Sequence, residues 1–394
     1  MNIALPASKS LSNRYLILRH LSKNKLRLKN LSLAQDTVLL NKALTEKTTT
    51  LYVGDGGTTL RFLIPVICLK NDGKTYTLVI GEQLAKRPLD AFLKILQQLG
   101  INTNHNSNTL IIQTSLIHCN EIKIEKQVTS QFISALMLVA PFLPDGLSIK
   151  LPRQVVSQSY ITMTASVLKS IGCEVRQEKS MIHIDKKEPL SKKIVIENDW
   201  SSVSYWYIYV GLKLINTLNF DLLFKNTFQG DAIIVKWAEK LGVKSSFNKD
   251  KLTIQTSTPS IEESYYYDAN DHPDLVPTMV VWHAFLKHKV LFDNITTLIY
   301  KESNRLEALT ENLKQLNVKT FYDTIKQQFS IDASLFSIPP IVFIDTFNDH
   351  RIAMAFSVLD FFTQVCYSNK IVVQKSYPNF WEEQSKVKRI TALQ

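Results

Sequence analysis

The stretch ITMTASVLKSIGC, residues 161–173, has apolar side chains at helical spacing up to Leu168 and ends around Gly172. After a polar segment, Met181-Ile182-His183-Ile184 has the mixed apolar and polar character of a strand with one buried face. Glycine adopts positive φ without a steric penalty, so Gly172 is typical of the position that ends a helix. The stretch predicts an amphipathic helix, a glycine stop and then a β-hairpin.

The same pattern recurs along the chain. It is found at Leu99-Gly100-Ile101 with Thr109–Ile112, at Leu241-Gly242-Val243 with Lys251–Ile254, and at Leu316-Asn317-Val318 with Gln328–Ile331. The stops fall at residues 100, 172, 242 and 317, a period of about 70 to 75 residues. This exceeds the roughly 20–50 residues of solenoid repeats. The period instead favours duplicated βαβ-type subdomains.

Two further copies of the pattern are incomplete. Asp36–Leu44 predicts a helix without its hairpin, and Phe380–Val387 begins a copy that the chain end cuts short. Six units divide naturally into two lobes of three, which predicts an α/β protein. We expect a first lobe over residues 9–198 and a second over 199–394, with residues 1–8 available as an additional strand.

Composition limits the class of protein. The 394 residues are 45% hydrophobic, and 46 Lys and Arg against 35 Asp and Glu give a formal net charge of +11. The charge favours an acidic partner: nucleic acid, a membrane surface or a small polyanionic metabolite. Four widely spaced cysteines without a C-x-x-C pair argue against a zinc site or a disulfide framework. Without a signal peptide or an apolar run of about 18 residues, a cytoplasmic protein is expected.

Cations recur where helices are expected to begin. Lys9 and Arg14 open the chain's first helix, Arg87 precedes Pro88 at an expected first helical position, and Arg351 precedes a helix expected over Ile352–Phe361. The remaining cations of this kind are Lys301, Arg305 and Lys375, the last after an expected strand Ile371–Val373. Helix N-termini favour anions. Such ends can converge on one cleft in a two-lobed repeat fold, which predicts a ligand with several negative charges.

The order of the motifs resembles the 5-enolpyruvylshikimate-3-phosphate synthases, members of the enolpyruvyl transferase family (3-phosphoshikimate 1-carboxyvinyltransferases). The resemblance is collinear from residue 6 to about residue 381. It rests on Lys9-Ser10-x-x-x-Arg14, Gly57-Thr58-x-x-Arg61, Arg87-Pro88, Ser130-Gln131-Phe132, Ser157-x-x-Tyr160, Asp274, Lys301-Glu302-x-x-Arg305, Asp349-His350-Arg351 and Lys375-x-x-Pro378. It implies an inside-out α/β fold of two lobes, each with three βαβαββ repeats.

The resemblance also implies a reaction and the residues that perform it. Enolpyruvyl would pass from phosphoenolpyruvate to the 5-hydroxyl of shikimate 3-phosphate, with release of phosphate and with no metal or organic cofactor. Shikimate 3-phosphate would be held by Lys9, Ser10, Arg14, Thr129, Ser130, Gln131, Ser157, Tyr160, Asp274 and Lys301. Phosphoenolpyruvate would be held by Lys9, Gly57, Arg87, Gln131, Arg305, Arg351 and Lys375. Asp274 would take the hydroxyl proton, and Glu302 or Lys9 would handle the methylene proton.

The chain departs from the family pattern in several places, and three of these departures bear on charge or on chain length. Asp55 stands where asparagine is usual, which puts a negative charge near an anionic ligand unless Asp55 points away. Asn304 replaces the common aspartate before Arg305, which removes a possible partner of that arginine. The stretch between Asp36 and Gly54 is shorter than usual, so the first unit is trimmed.

Two alternative functions agree less well with the sequence. The enolpyruvyl transferase that acts on UDP-N-acetylglucosamine shares the fold, but it would have Lys-Asn in place of Lys9-Ser10 and normally a loop cysteine. A basic nucleic-acid-binding protein would interleave aromatic residues with a basic stripe, whereas here basic residues alternate with acidic ones. We therefore expect small-molecule substrates, no nucleic-acid or membrane partner, and a monomer.

Overall fold

The structure, a computed structural model, describes residues 1–115, 117, 119–124, 129–152, 155–178, 180–260, 262 and 264–392. The chain forms two compact units. The N-terminal unit is Ala7–Ile196, and the C-terminal unit is Glu197–Gln394 together with Met1–Pro6. Each unit has its own hydrophobic core. Within the described ranges, no helix has the length and apolar character needed to cross a membrane.

The N-terminal unit alternates helices and short strands. Its helices are α1 (Lys9–Leu21), α2 (Gln35–Thr45), α3 (Gly57–Cys68), α4 (Glu82–Ala85), α5 (Asp90–Gln98), α6 (Ser130–Val139) and α7 (Gln158–Ser170). Its strands are β1 (Leu26–Lys29), β2 (Thr50–Gly54), β3 (Thr75–Ile80), β4 (Asn102–Asn106), β5 (Thr109–Gln113), β6 (Glu121–Lys123), β7 (Leu147–Lys150), β8 (Val175–Glu178), β9 (Met181–Ile184) and β10 (Lys192–Val195).

The C-terminal unit repeats the same alternation. Its helices are α8 (Trp200–Gly211), α9 (Ile234–Lys240), α10 (Val276–Phe285), α11 (Arg305–Lys314), α12 (His350–Phe356) and α13 (Phe380–Thr391). Its strands are β11 (Thr217–Asp221), β12 (Val243–Asn248), β13 (Lys251–Thr256), β14 (Tyr265–Asp268), β15 (Lys289–Asp293), β16 (Lys319–Asp323), β17 (Gln328–Asp332), β18 (Ile341–Ile344) and β19 (Gln364–Tyr367).

Three of the sheets share one topology, a parallel pair of strands extended by an antiparallel hairpin, with strand orders β2-β3-β5-β4, β6-β7-β9-β8 and β14-β15-β17-β16. The sheet β11-β13-β12 is antiparallel throughout, and a single parallel bridge from Asn2 to Asn219 stands where the others have a further parallel strand. The remaining sheets are the short parallel pairs β1-β10 and β18-β19. The helices predicted for the two incomplete copies are present as α2 and α13. Each unit therefore contains three repeats, one of them reduced to a parallel pair of strands, and the predicted two-lobed α/β fold is confirmed.

The predicted helix stops are also confirmed. Gly100, Gly172 and Gly242 have φ values of 79°, 89° and 84°, and Asn317 has a φ of 56°. This left-handed conformation reverses the chain after each helix, and glycine and asparagine tolerate it better than other residues do. After each stop the next two strands pair antiparallel, which confirms the four predicted hairpins. The second strand of each hairpin alternates more and less buried side chains, so that one face packs on the core.

Three local expectations are wrong. Pro88 was expected at the first position of a helix, but α5 begins two residues later, at Asp90. Pro88 instead follows a turn in which the backbone N–H of Arg87 donates to the carbonyl of Leu84 (3.0 Å). Ile371–Lys375 is a 3-10 helix that buries two valines, and β18 pairs with β19 instead. Helix α12 begins at His350 and changes to a 3-10 helix at Ser357–Phe361.

Candidate active site

Formal charge is divided unequally between the two units. Of the 46 Lys and Arg residues, 26 lie in the N-terminal unit, together with 13 of the 35 Asp and Glu residues. The N-terminal unit therefore has a formal charge of +13 and the C-terminal unit a charge of −2. The basic character of the chain belongs to one unit, which favours anions there.

Arg14 is the most deeply buried cation of the N-terminal unit's predicted site, with 2% of its surface exposed. Its Nε donates to Thr164 Oγ1 (2.8 Å), and its Nη2 donates to Ser134 Oγ (3.2 Å). The carbonyls of Tyr160 and Ser10 accept from Nη2 and Nη1 at 3.1 and 2.9 Å. Helices α1, α6 and α7 thus meet at one guanidinium group.

The charge of Arg14 has no counter-ion in the described part of the chain. All four hydrogen-bond partners are uncharged, and none of the described carboxylates lies within ion-pair distance of Arg14. Burial lowers its pKa to about 10. A buried cation without an anionic partner is costly. Arg14 therefore suits an anionic group supplied by a ligand.

The predicted hydroxyl residues lie at the N-termini of the same two helices. Thr129 caps α6, because its side chain accepts from the backbone N–H of Gln131 (3.2 Å), and Ser130 is the first residue of that helix. Ser157 precedes α7 with a φ of 54° and makes no capping bond. Capping therefore explains Thr129 and does not explain Ser157.

A second group of predicted residues surrounds Gly57, the first residue of α3. A Cβ atom at Gly57 would lie 2.9 Å from Arg61 Nη1 and 3.1 Å from Arg87 Nη1. Gln131 accepts from Arg61 and donates to Thr58 Oγ1 (3.2 Å). Two guanidinium groups therefore converge where only a glycine leaves room for them.

Lys9 lies beside this group. Its Nζ atom is 3.2 Å from Asp36 Oδ2, and a Cβ at Gly56 would lie 2.8 Å from Asp36 Oδ1. Asp36 thus joins the ammonium group of Lys9 to the glycine loop that precedes α3.

The C-terminal unit gathers five predicted residues into one ion-pair network. Arg305 is completely buried, and its Nη1 and Nη2 donate to Asp274 and Glu302, each at 2.8 Å. Arg351 Nη2 lies 2.7 Å and Lys301 Nζ 3.5 Å from the Asp274 carboxylate. A capping role does not explain Asp274, because the residue at the N-cap position of α10 is Leu275.

The network fixes the charge of Asp274. Burial alone would raise the pKa of Asp274, but the charges of Arg351, Lys301 and Arg305 outweigh it and hold this pKa well below its usual range. Burial lowers the pKa of Lys301. The pKa of Arg305 is raised overall, because Asp349, Glu302 and Asp274 outweigh the effect of burial.

Lys375, the sixth predicted residue of this unit, lies at the end of the 3-10 helix Ile371–Lys375. Its Nζ donates to the backbone carbonyl of Asn348 at 3.0 Å. Asn348 immediately precedes Asp349, whose carboxylate accepts from Arg305 Nε at 2.8 Å. Lys375 is therefore tied to the turn that also contacts the ion-pair network.

Comparison with known proteins identifies the family. A model of the EPSP synthase (3-phosphoshikimate 1-carboxyvinyltransferase) family matches residues 40–383. The chain belongs to the EPSP synthase family. It is 32% identical over 387 residues to the 3-phosphoshikimate 1-carboxyvinyltransferase of Bacteroides fragilis (strain YCH46), covering 97% of this chain and 93% of that relative. The family predicted from the motifs is confirmed.

Two solved structures share the fold. EPSP synthase from Acinetobacter baumannii aligns with a TM-score of 0.72 at 16% identity, covering 98% of this chain and 95% of that chain. The enolpyruvyl transferase NikO from Streptomyces tendae aligns with a TM-score of 0.72 at 11% identity, covering 98% and 94%. At these identities the two likenesses support the fold alone.

Two of the departures from the EPSP synthase pattern, Asp55 and Asn304, have structural explanations. Asp55 Oδ1 accepts from the backbone N–H groups of Gln83 and Leu84 (3.0 and 3.2 Å), so its carboxylate stabilises the start of α4. Asn304 caps α11 by accepting from the N–H of Glu307 (3.4 Å). Arg305 keeps three carboxylate partners without an aspartate at position 304.

Several residues of these clusters were not predicted as site residues. They are Asp36, Arg61, Ser134, Thr164 and Asp349. Ser134 and Thr164 follow Ser130 and Tyr160 by four residues and so share their helix faces, a spacing that could have indicated them. Arg61 and Asp349 stand inside motifs that were used for the resemblance. Asp36 had no comparable signal, because its partner Lys9 lies 27 residues away.

Proposed function

We propose that the protein transfers the enolpyruvyl group of phosphoenolpyruvate to the 5-hydroxyl of shikimate 3-phosphate and releases phosphate. This reaction belongs to the shikimate pathway, which supplies chorismate and the aromatic amino acids. The observation that carries the proposal beyond family membership is Arg14, a buried cation whose hydrogen-bond partners among the described residues are all uncharged. A substrate carboxylate or phosphate would provide the missing negative charge.

In the N-terminal unit we assign most of the groups that bind shikimate 3-phosphate. Hydroxyls and cations suit its phosphate, carboxylate and ring hydroxyl groups. The residues are Ser10, Arg14, Thr129, Ser130, Gln131, Ser157 and Tyr160, with Lys301 and Asp274 from the C-terminal unit. Lys9 contacts both substrates in this scheme.

Most of the proposed phosphoenolpyruvate ligands are arginines or lysines, because guanidinium forks and ammonium groups suit carboxylate and phosphate oxygens. The set is Lys9, Gly57, Arg87, Gln131, Arg305, Arg351 and Lys375. The Asp274 carboxylate is held ionised by its three cationic neighbours. Anionic substrates that bind Lys301, Arg305 and Arg351 weaken this hold and raise the proton affinity of Asp274.

The chemistry is an addition followed by an elimination. Asp274 accepts the proton of the 5-hydroxyl as its oxygen bonds to C2 of phosphoenolpyruvate, and Glu302 or Lys9 delivers a proton to C3. The bond from C2 to the phosphate oxygen then breaks, and C3 returns a proton to re-form the double bond. The surrounding cations stabilise the charge that develops on the leaving phosphate.

We place the reaction in the cytoplasm and the protein in the monomeric state, without nucleic-acid or membrane partners. The cysteines Cys68, Cys119, Cys173 and Cys366 are all free thiols, which agrees with a reducing compartment. Light scattering of the purified protein would measure its mass against the 45.0 kDa of one chain. A mass of twice that value would contradict the monomer.

Release of inorganic phosphate tests the proposed function. Phosphate should appear only when shikimate 3-phosphate and phosphoenolpyruvate are both present. Replacement of shikimate 3-phosphate by UDP-N-acetylglucosamine should abolish release. Turnover with the UDP-sugar, or phosphate release from phosphoenolpyruvate alone, would contradict the proposal.

A further inference from the structure

The turn Asp345–Asp349, here called the cation turn, has an unusual backbone. Phe347 and Asn348 are consecutive non-glycine residues with φ values of 49° and 52°. This region is disfavoured for residues with a Cβ, above all for a bulky one such as phenylalanine. Such conformations persist where the surroundings enforce them, and they are concentrated at functional sites.

Side-chain bonds hold the cation turn in this conformation. Asp345 Oδ1 accepts from the backbone N–H of Phe347 and from Ser368 Oγ, each at 2.9 Å. Asn369 donates its side-chain amide to Asn348 Oδ1 at 3.0 Å. The turn is therefore braced from both sides.

Asp349, the last residue of the turn, links two arginines through one carboxylate. It is completely buried. Its Oδ1 accepts from the backbone N–H of Arg351 (2.9 Å) and so caps α12, which fixes the helical position of Arg351. Its Oδ2 accepts from Arg305 Nε (2.8 Å) and from Ser303 Oγ (3.3 Å).

The third contact comes from the backbone of the same turn. The carbonyl of Asn348 accepts from Lys375 Nζ at 3.0 Å. One five-residue turn therefore contacts Arg305, Arg351 and Lys375, the three cations of this unit that the proposed function assigns to phosphoenolpyruvate.

We propose that the cation turn positions the phosphoenolpyruvate ligands of the C-terminal unit and that Asp349 is the positioning residue. This inference rests on the proposed function. Asp349 acts through the arginines and does not touch the substrate, because both of its carboxylate oxygens are occupied by groups of this chain. Its loss should therefore weaken phosphoenolpyruvate binding and leave shikimate 3-phosphate, held mainly by the N-terminal unit, nearly unaffected.

The variant Asp349→Asn separates positioning from folding. Asparagine retains an oxygen for the N–H of Arg351 and is itself a good helix cap, but it presents an amide where Arg305 Nε needs an acceptor. We expect KM for phosphoenolpyruvate to rise by about tenfold or more, since small misplacements of binding groups have large effects. We expect KM for shikimate 3-phosphate, and the thermal protection by that ligand, to stay near wild type.

Asp323→Asn is the matched control. It makes the same change at another carboxylate of the same unit, which accepts from the backbone N–H groups of Ile325 and Lys326 (3.0 and 2.9 Å) and contacts none of the three cations. This control should lower stability slightly and leave the ratio of the two KM values unchanged. An Asp349→Asn enzyme with a near-normal KM for phosphoenolpyruvate, or with equal increases in both KM values, would overturn the proposal.

A second variant decides the matter if Asp349→Asn does not fold. Asp345→Ala removes the brace of the turn without altering any contact of Asp349, and it should also raise KM for phosphoenolpyruvate selectively. An unchanged KM in folded Asp345→Ala would count against the positioning role. Wild-type turnover with both substrates is measured first, because its absence would reject the proposed function rather than this inference.

Discussion

Two buried arginines, one in each unit, show opposite ways of placing a cation. Arg14 is surrounded by hydroxyls and carbonyls, whereas Arg305 donates to three carboxylates. Removing one member of a buried ion pair leaves an uncompensated charge and is strongly destabilising. Removing a buried charge that has no counter-ion relieves a desolvation cost instead. Substitutions at the two positions should therefore differ in their effect on stability.

Arg14→Met tests the assignment of Arg14 to the substrate. The unliganded variant should unfold at a temperature close to that of the wild type, because a buried charge has been replaced by an apolar chain of similar length. Stabilisation by shikimate 3-phosphate, which follows from binding to the native state, should disappear. Thermal unfolding with and without this ligand measures both effects.

Arg19→Met is the control for Arg14→Met. Arg19 lies on the same helix, is partly exposed and donates to Asn41 (2.7 Å). Its variant should keep the thermal shift. A full shift in Arg14→Met would show that shikimate 3-phosphate binds elsewhere.

Asp274→Asn tests the assignment of the general base. Asparagine keeps the shape of the side chain but cannot take up the hydroxyl proton. Loss of a general base typically lowers the rate by about 10²–10⁴-fold, so kcat should fall within that range while shikimate 3-phosphate still protects the protein. Asp271→Asn, the same change three residues earlier, should retain activity. Turnover of Asp274→Asn within a few-fold of wild type would transfer the role to another group.

At the scale of elements, His283 of α10 pairs with His288, the residue directly before β15, at a place separate from the site. His283 is completely buried, with Nδ1 3.0 Å from His288 Nδ1 and Nε2 2.9 Å from the hydroxyl of Tyr267. Tyr265 stacks on the ring of His288 at 4.5 Å. Burial, with a smaller contribution from His288, lowers the pKa of His283 to about 3, and burial also lowers that of His288.

The histidine pair predicts a stability that falls in mild acid. In the unfolded chain the pKa of histidine is about 6.5, so the unfolded state takes up protons below that pH while folded His283 stays neutral. Stability is therefore complete above about pH 6.5 and declines, by up to about 1.4 kcal/mol per pH unit for His283, as the pH falls toward 3. Urea unfolding between about pH 8 and pH 5 measures the slope.

His283→Gln should flatten this dependence, whatever its effect on stability at neutral pH. Glutamine can still hydrogen-bond to both neighbours but does not titrate. An equally steep slope in the variant would assign the acid sensitivity to other groups.

Elements differ in how well the sequence predicts them. The four hairpins and the helix stops at Gly100, Gly172, Gly242 and Asn317 were predictable, because alternation and positive φ are local requirements. The segment Ile371–Val373 was misassigned as a strand, because its valines are buried by tertiary packing rather than by a sheet. The surroundings of Arg14 were not predictable, since Thr164 lies 150 residues away in sequence. The ion pair between Asp349 and Arg305 was not predictable either, since 44 residues separate the two in sequence.

At the scale of the whole molecule, the formal charges of +13 and −2 predict a particular response to salt. A strongly positive unit should capture anionic substrates faster at low ionic strength, since screening shortens the range of attraction. We expect kcat/KM for shikimate 3-phosphate to fall as salt rises from about 20 to about 200 mM, while kcat changes little. An increase in kcat/KM with salt would contradict electrostatic capture.

Duplex DNA provides the control for this charge effect. Any DNA binding should be non-specific and should weaken steeply over the same salt range. Tight DNA binding that persists at about 200 mM salt would instead support a nucleic-acid-binding protein.

The most direct test of the central claim follows the carbon that is transferred. Phosphoenolpyruvate labelled with ¹³C at C2 is incubated with shikimate 3-phosphate and the protein, and the products are examined by NMR and mass spectrometry. The account predicts that the label moves to a vinyl ether carbon attached to the 5-oxygen of shikimate 3-phosphate, together with one equivalent of inorganic phosphate. Label recovered only as phosphoenolpyruvate or pyruvate, with shikimate 3-phosphate unchanged, would contradict the account.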